Sequence, residues 1–379
     1  MNAPARFRLG VDAHTVDGLF QGSRSHLLGL YREVIPRLPE VDFVFLLANP
    51  EALRNEAEAF RAPNVQCEAM PHRNGLWRLG WQLAAAQRSH RLDLLHVQYR
   101  GPVWPAGPLA CTIHDTLYET HPQFFTPGFV RMARWTARRT VRQSRLMFTV
   151  SQFSRSEIAR HYDWPAERVA VTGNGVNLQR FHPAPGGEAE LAALGLVPGG
   201  YLLTVGRIEP RKNHLGLLRA YALLPAAERL PLVIVGQRDA AVFEQVQAEV
   251  QRLGLDGQVR FLDRVGDQAL PALLRHARAV VYPSFAEGFG MPVAEAMASG
   301  VPVVTSTGTA LAEVAGDVAL VADPSRPADI ATQILRLLRE PDLARELAAR
   351  GPAQAAQFSW QASADVFVNA LKAYIQRPC

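Results

Sequence analysis

Ala279-Val-Val-Tyr282, Pro283-Ser-Phe-Ala286, Glu287-Gly-Phe-Gly-Met-Pro-Val-Ala-Glu295 and Ala296-Met-Ala-Ser-Gly-Val-Pro-Val-Val-Thr305 run on without a break. They read as strand, loop, helix and strand. The two apolar runs are short and bounded by Pro and Gly, as buried strands are. Pro292 suits the first turn of a helix, where its missing N–H costs nothing, so a helix starts near Met291 and runs through Ala298 to Gly300. A helical crossover between two such strands makes them parallel. Outward from this unit the alternation continues, with strands expected at 201–205, 232–235 and 259–262 before it and at 319–321 after it. The first half repeats the pattern without repeating the sequence, with strands at 7–11, 41–48, 93–97, 110–113 and 146–150 and a helix at 25–38. Short apolar strands alternating with helices imply parallel sheets covered on both faces, an α/β chain of two Rossmann-like, doubly wound domains.

The chain has 379 residues, 48% of them hydrophobic and 20% charged, which gives two soluble domains of ordinary size. Pro and Gly concentrate at 184–187 and again at 198–200, placing an N-terminal domain at 1–185 and a C-terminal domain at 186–359. The last segment, 360–379, puts Ala364, Phe367, Val368, Leu371 and Ile375 on one side of a helix that is expected to return to the first domain. No apolar run is long enough to span a bilayer, and the N-terminus lacks the order of a signal peptide, so a cytoplasmic protein is expected. Cys67, Cys111 and Cys379 are too far apart in sequence for a zinc or thiol-redox motif. Through Pro185 there are 22 Arg against 15 acidic residues, while the remainder carries 18 basic against 20 acidic residues. That asymmetry suits an anionic partner of the first half.

The free N–H groups at the start of the Pro292 helix form an anion site suited to a diphosphate. By themselves the flanking carboxylates are ambiguous, Glu295 reading equally as a partner of the helix dipole and Glu287 as a solvated loop residue. The nine-residue arrangement points instead to a ligand, with Glu295 facing ribose hydroxyls and Glu287 a sugar. Gly206-Arg207-Ile-Glu-Pro-Arg-Lys212-Asn213 follows the first strand of the same half, at the same sheet edge, so Arg207 and Lys212 face the phosphates. In the first half, His114 and Asp115 end an apolar strand, with Asp115 expected to orient the histidine and a satisfied structural histidine as the alternative. Gly22 and Ser23 precede a helix and read either as a backbone approach to phosphate or acceptor or as a turn. Val150-Ser-Gln-Phe-Ser154 and Gly173-Asn-Gly-Val-Asn177 also lie at strand ends. Arg131, Arg134, Arg138, Arg139, Arg142 and Arg145, interspersed with Phe129, Met132 and Trp135, form a basic amphipathic helix suited to an anionic lipid surface or to solvent.

Gly206-Arg207, Lys212-Asn213, Val235-Gly236, the Glu287 to Glu295 motif and the 296–304 segment together resemble glycosyltransferase family 4, retaining enzymes whose GT-B fold sets two Rossmann-like domains across a cleft. The resemblance covers nearly the whole second half. It implies Arg207 and Lys212 on the diphosphate, Glu287 on the donor sugar and Glu295 on the ribose. It further implies amides of Phe289, Gly290, Met291, Pro292 and Val293 on sugar and phosphate, the base near Gly236, Arg264 and Val265, and His114 on the transferred sugar. The Gly-Gly usual in the family's first loop is here Gln21-Gly22-Ser23.

The expected reaction is transfer of a hexose, with retention, from a nucleotide sugar to a glycan or polyprenyl-diphosphate-linked acceptor. Arg207, Lys212 and the Pro292 helix terminus are expected to stabilise the negative charge that develops on the leaving diphosphate, which makes a metal unnecessary, and no Asp-x-Asp occurs in the chain. No cofactor and no nucleic acid are expected. The opening segments 11–14 and 21–25 resemble bacterial mannosyltransferases of polysaccharide and O-antigen assembly, which favours GDP-mannose over UDP-glucose or UDP-GlcNAc. A peripheral position at the inner face of the cell membrane follows from the arginine helix. A sugar-nucleotide epimerase is the rival class, and a nicotinamide dehydrogenase lacks its full glycine fingerprint.

Overall fold

The computed structural model describes residues 6–17, 22–71, 74–263, 265–266 and 268–376. The chain divides into two units, Met1–Gly175 with Ser359–Cys379, and Val176–Phe358. The first holds seven parallel strands, β1 (Phe7–Asp12), β2 (Val41–Leu47), β3 (Val65–Ala69), β4 (Leu94–Gln98), β5 (Leu109–Thr112), β6 (Ser144–Thr149) and β7 (Val169–Val171). Their order is β3-β2-β1-β4-β5-β6-β7. The second holds six, β8 (Leu202–Val205), β9 (Leu232–Val235), β10 (Val259–Leu262), β11 (Ala279–Tyr282), β12 (Val303–Ser306) and β13 (Leu320–Ala322), also parallel. Their order is β10-β9-β8-β11-β12-β13. In each sheet the winding reverses between the first and fourth strands, β1 and β4 in one, β8 and β11 in the other. Loops leaving the carboxyl ends of such a pair diverge and open a crevice, the usual ligand site of a doubly wound sheet.

The helices that bear on the sites are α1 (Gly22–Val34), α2 (Pro127–Gln143), α3 (Gln152–Tyr162), α4 (His214–Ala222), α5 (Met291–Ala298) and α6 (Trp360–Ile375). The central strands carry no polar face: every residue of β9 (LVIV) and β11 (AVVY) is buried, as a sheet covered by helices on both sides requires. In the first unit Tyr31, Phe43, Phe45 and Phe148 fill the core together with Phe367 from α6, whose ring stacks on Phe148 at 4.7 Å.

Two differences from the sequence reading have local causes. β3 and β7 were not anticipated, because β3 (VQCEA) alternates polar with apolar residues and β7 has only three. Residues 176–185, expected in the first domain, belong with the second unit. Val176 N–H donates to Phe358 O at 2.9 Å, and Arg275 donates to His182 O at 3.0 Å and to Gly186 O at 2.5 Å. Pro and Gly in 183–187 therefore shape a segment fastened to one unit.

Candidate active site

Both loops at the switch point of the second sheet are tied to each other. Phe285 N–H and Ser284 Oγ–H donate to Arg211 O, at 2.8 and 2.9 Å. Asn213, in the left-handed conformation at φ 59°, caps α4 by accepting from Gly216 N–H at 3.2 Å. Its amide donates to Pro283 O at 3.0 Å and Pro324 O at 2.7 Å, joining loops after β8, β11 and β13 through one side chain.

This frame brings Lys212 and Glu287 together. Glu287 is buried, and its Oε1 accepts from Lys212 Nζ at 2.5 Å, Tyr282 OH at 2.9 Å and Ser284 Oγ at 2.9 Å. Arg211 Nη1 donates to Oε2 at 2.8 Å. Burial alone would push this carboxyl up, but the charges of Arg211 and Lys212 and the hydrogen bonds from Lys212 and Ser284 reverse that and hold it at about 2. Lys212 also donates to Tyr282 OH and sits 5.0 Å from the centre of that ring. Its own pKa is lowered, first by burial, with Glu287 opposing. Arg207 is more open, its side chain 38% exposed and 4.0 Å from Glu209. Arg211, Tyr282 and Ser284 were not among the expected site residues, although Arg211 stands beside Lys212 in the sequence.

α5 begins as expected, with Pro292 in its first turn and Gly290 as its N-cap at φ 111°. An alanine Cβ there would lie 2.3 Å from Leu311 Cδ2. Val293 N–H already donates to Gly290 O at 3.0 Å, and Pro292 has no N–H. Those two backbones are therefore not the ligand amides they were expected to be. Phe289, Gly290 and Met291 supply the amides that no helical carbonyl takes. The Phe289 ring turns inward, edge-on to Phe358 at 5.3 Å, and Val293 is buried. Glu295, one turn into α5, is partly buried. Burial pushes its carboxyl up to about 7, with the charge of Arg180 opposing. Gly236 follows β9 where a Cβ would fall 2.0 Å from Gly206 O, so the two loops touch backbone to backbone. Val265 is partly exposed after β10, and Arg264 lies outside the described residues.

In the first unit His114 is buried after β5, and its Nε2 pairs with Gln98 Oε1 at 2.8 Å. The rings of His26 (4.7 Å) and Tyr99 (5.3 Å) lie against it. Burial, and then the neighbouring His26 and His96, hold it well below the ordinary histidine value, so it is neutral. The expected orienting role of Asp115 falls to Gln98, since Asp115 accepts from Tyr99 OH at 2.7 Å and from Leu117 N–H at 3.2 Å. The other strand-end motifs support the same residue. Ser154 Oγ donates to His114 O at 3.0 Å, and Asn174 Oδ1 pairs with His26 Nδ1 at 2.8 Å. Gly22 and Ser23 are the first residues of α1, and a Cβ at Gly22 would meet nothing within 4 Å. On α2, Arg134 and Arg138 pair with Glu119 at 2.7 and 3.6 Å, and Arg139 donates to Val103 O. Arg131 and Arg142 are exposed on α2, whereas Arg145, expected on the same helix, is exposed on β6, because the helix ends at Gln143. Among the described residues no helix is long and apolar enough to cross a membrane, and no group of three or more His, Cys, Asp or Glu could hold a metal.

Known proteins with similar sequences and folds bear on this geometry. Residues 197–354 match the model of glycosyl transferases group 1, and residues 20–180 match that of glycosyltransferase family 4. O-antigen chain mannosyltransferase B of Escherichia coli is 41% identical over 271 residues, 69% of each chain. D-inositol 3-phosphate glycosyltransferase of Streptomyces bingchenggensis is 34% identical over 58% of this chain, which spans about half (51%) of that relative's length. The fold matches sucrose-phosphate synthase of Thermosynechococcus elongatus, with a TM-score of 0.80 at 20% identity over 98% of this chain and 99% of that one. It also matches Anabaena HepE in complex with UDP and glucose, with a TM-score of 0.75 at 21% identity over 97% and 100%. With two Rossmann-like units, both family models matched and a mannosyltransferase relative at 41% identity, the chain belongs to the family 4 glycosyltransferases of the GT-B fold.

Proposed function

We propose that the chain transfers mannose, with retention, from GDP-mannose to a glycan or lipid-diphosphate-linked saccharide. One observation carries this reading. Arg207, Arg211 and Lys212 leave the carboxyl end of β8, and the open first turn of α5 follows neighbouring β11. Cations and unpaired amides at one switch point favour a diphosphate and stabilise the charge that develops as it leaves. Glu287, Glu295 and Gly236 take the sugar, ribose and base roles, with Val265 beside the base. The mannose donor is supported by the mannosyltransferase relative, and the UDP bound to HepE makes a UDP-sugar the alternative. Calorimetry with GDP and UDP, followed by product analysis with either sugar, tests the reading, and uptake of neither nucleotide overturns it. Arg207→Ala and Lys212→Ala should lower turnover at least ~10-fold while weakening GDP binding less. The reverse split would remove charge stabilisation as their role.

The exposed arginines of α2, with Trp135 56% exposed between them, suit anionic lipid headgroups near a lipid-linked acceptor. A groove of about 850 Å³ runs beside Arg131, Trp135 and Arg142. Flotation with phosphatidylglycerol vesicles should be lost when Arg131, Arg138 and Arg142 become glutamine. Unchanged flotation excludes this surface.

A further inference from the structure

Asp12, His14 and Arg78 form a cluster at the switch point of the first sheet that the donor site does not use. Asp12 ends β1 and is 1% exposed. One carboxylate oxygen, Oδ2, pairs with Arg78, also buried. The other, Oδ1, accepts from His14 Nδ1 at 3.0 Å and from His14 N–H at 3.4 Å. Burial pushes Asp12 up, but Arg78 and His14 overcome this and hold it at about 2, so it is a carboxylate. An ionised carboxylate can only accept at Nδ1, so in the neutral ring the proton sits on that nitrogen and Nε2 is the acceptor. The His14 side chain is 37% exposed, so the ring that Asp12 holds at Nδ1 is still half-open to a ligand.

The surroundings hold this dyad still. The turn that carries His14 is nailed to β2's end by Asp17, whose carboxylate accepts from Ala48 N–H at 2.5 Å and Asn49 N–H at 2.8 Å. Arg78 starts a π-helical turn, Arg78–Gln82, a rare local geometry that is frequent at functional sites. A buried ion pair is a weak source of stability, and apolar residues of the same volume would often serve a fold as well. Here it fixes the tautomer of a half-open imidazole beside the crevice between β1 and β4.

We infer that the Asp12–His14 pair, braced by Arg78, is an acceptor-binding site in which His14 Nε2 accepts a hydrogen bond from a hydroxyl of the acceptor saccharide. The inference rests on the glycosyl-transfer reading above. His14 acts by holding the hydroxyl, and no proton needs to move to it.

Two substitutions separate binding from structure. His14→Asn keeps an N–H for Asp12 but deletes the outward acceptor, whereas His14→Gln carries an amide oxygen near the place of Nε2. The probe is a synthetic phenoxyundecyl-diphosphate oligosaccharide ending in mannose, varied at saturating donor. His14→Asn should raise its KM ~10-fold or more, the loss of one well-placed hydrogen bond, and His14→Gln should restore most of that. GDP affinity and melting temperature should not change in either. An unchanged KM in His14→Asn, or a KM that moves together with GDP affinity and melting temperature, overturns the site alone. A wild-type protein that takes up neither GDP nor UDP overturns the transfer reading, and this site with it.

Discussion

Glu287 and Glu295 stand on one short loop and helix yet meet opposite electrostatics. Glu287 is ringed by donors and held at about 2, whereas Glu295 is pushed up to about 7 by burial and has only the charge of Arg180 to oppose that. The signs follow by linkage. Glu287 is depressed, so its contribution to stability is present above the ordinary value of 4.5 and lost as pH falls toward 2. Glu295 is raised, so its contribution is present below 4.5 and lost as pH rises through about 7. If Glu295 holds the ribose as a carboxylate, GDP affinity should rise with pH through about 7 more steeply in the native protein than in Glu295→Gln. Calorimetry on both proteins across that range checks this, and parallel profiles would remove the ionised carboxylate from the site. The two glutamates, Lys212 and Arg207 were readable from their motif spacing. The grip of Arg211 on Glu287 was not, because it joins two loops 76 residues apart in the chain, and Tyr282 and Ser284, though only five and three residues before Glu287, meet its carboxylate only through the fold of their own loop.

At the scale of the element, α5 depends on its first residue before the helix. Gly290 adopts φ 111°, and Leu311 fills the space where a side chain would begin. Gly290→Ala should therefore cost about 1–3 kcal/mol from backbone strain, with Leu311 adding to it. The turn that aims the amides of Phe289 and Met291 should shift, so GDP binding should weaken more than stability alone explains. Urea denaturation and calorimetry measure the two effects, and intact GDP binding would show that the turn does not carry the nucleotide. Pro292 announced this helix in the sequence because proline's preference for a first turn is local. β3 and β7 went unread for the opposite reason. Each lies at an edge of its sheet, or is too short for a pattern, and becomes a strand only by pairing with β2 or β6.

At the scale of the molecule, the first unit is completed by the chain's last helix. Phe367 of α6 lies in contact with Tyr31 and Phe148, ring centres 5.6 and 4.7 Å away, and is 1% exposed. Phe367→Ala should destabilise that unit by about 3–5 kcal/mol. Scanning calorimetry should show one transition lowered and the transition of residues 176–358 unmoved, with GDP binding below the first transition preserved. A single transition that shifts as a whole would mean the units do not unfold separately. The amino-acid sequence by itself determined the alternation of strand and helix, the parallel sheets and the Gly-Pro helix start with its two flanking carboxylates, since these rest on periodicity and on the local demands of Pro and Gly. The tertiary structure alone decided which strands became first and fourth neighbours, that Gln98 and not Asp115 pairs with His114, that Asp12 joins Arg78 and His14, and which carboxylate stays charged. Those outcomes depend on burial and on partners far apart in the chain, and no local pattern encodes them.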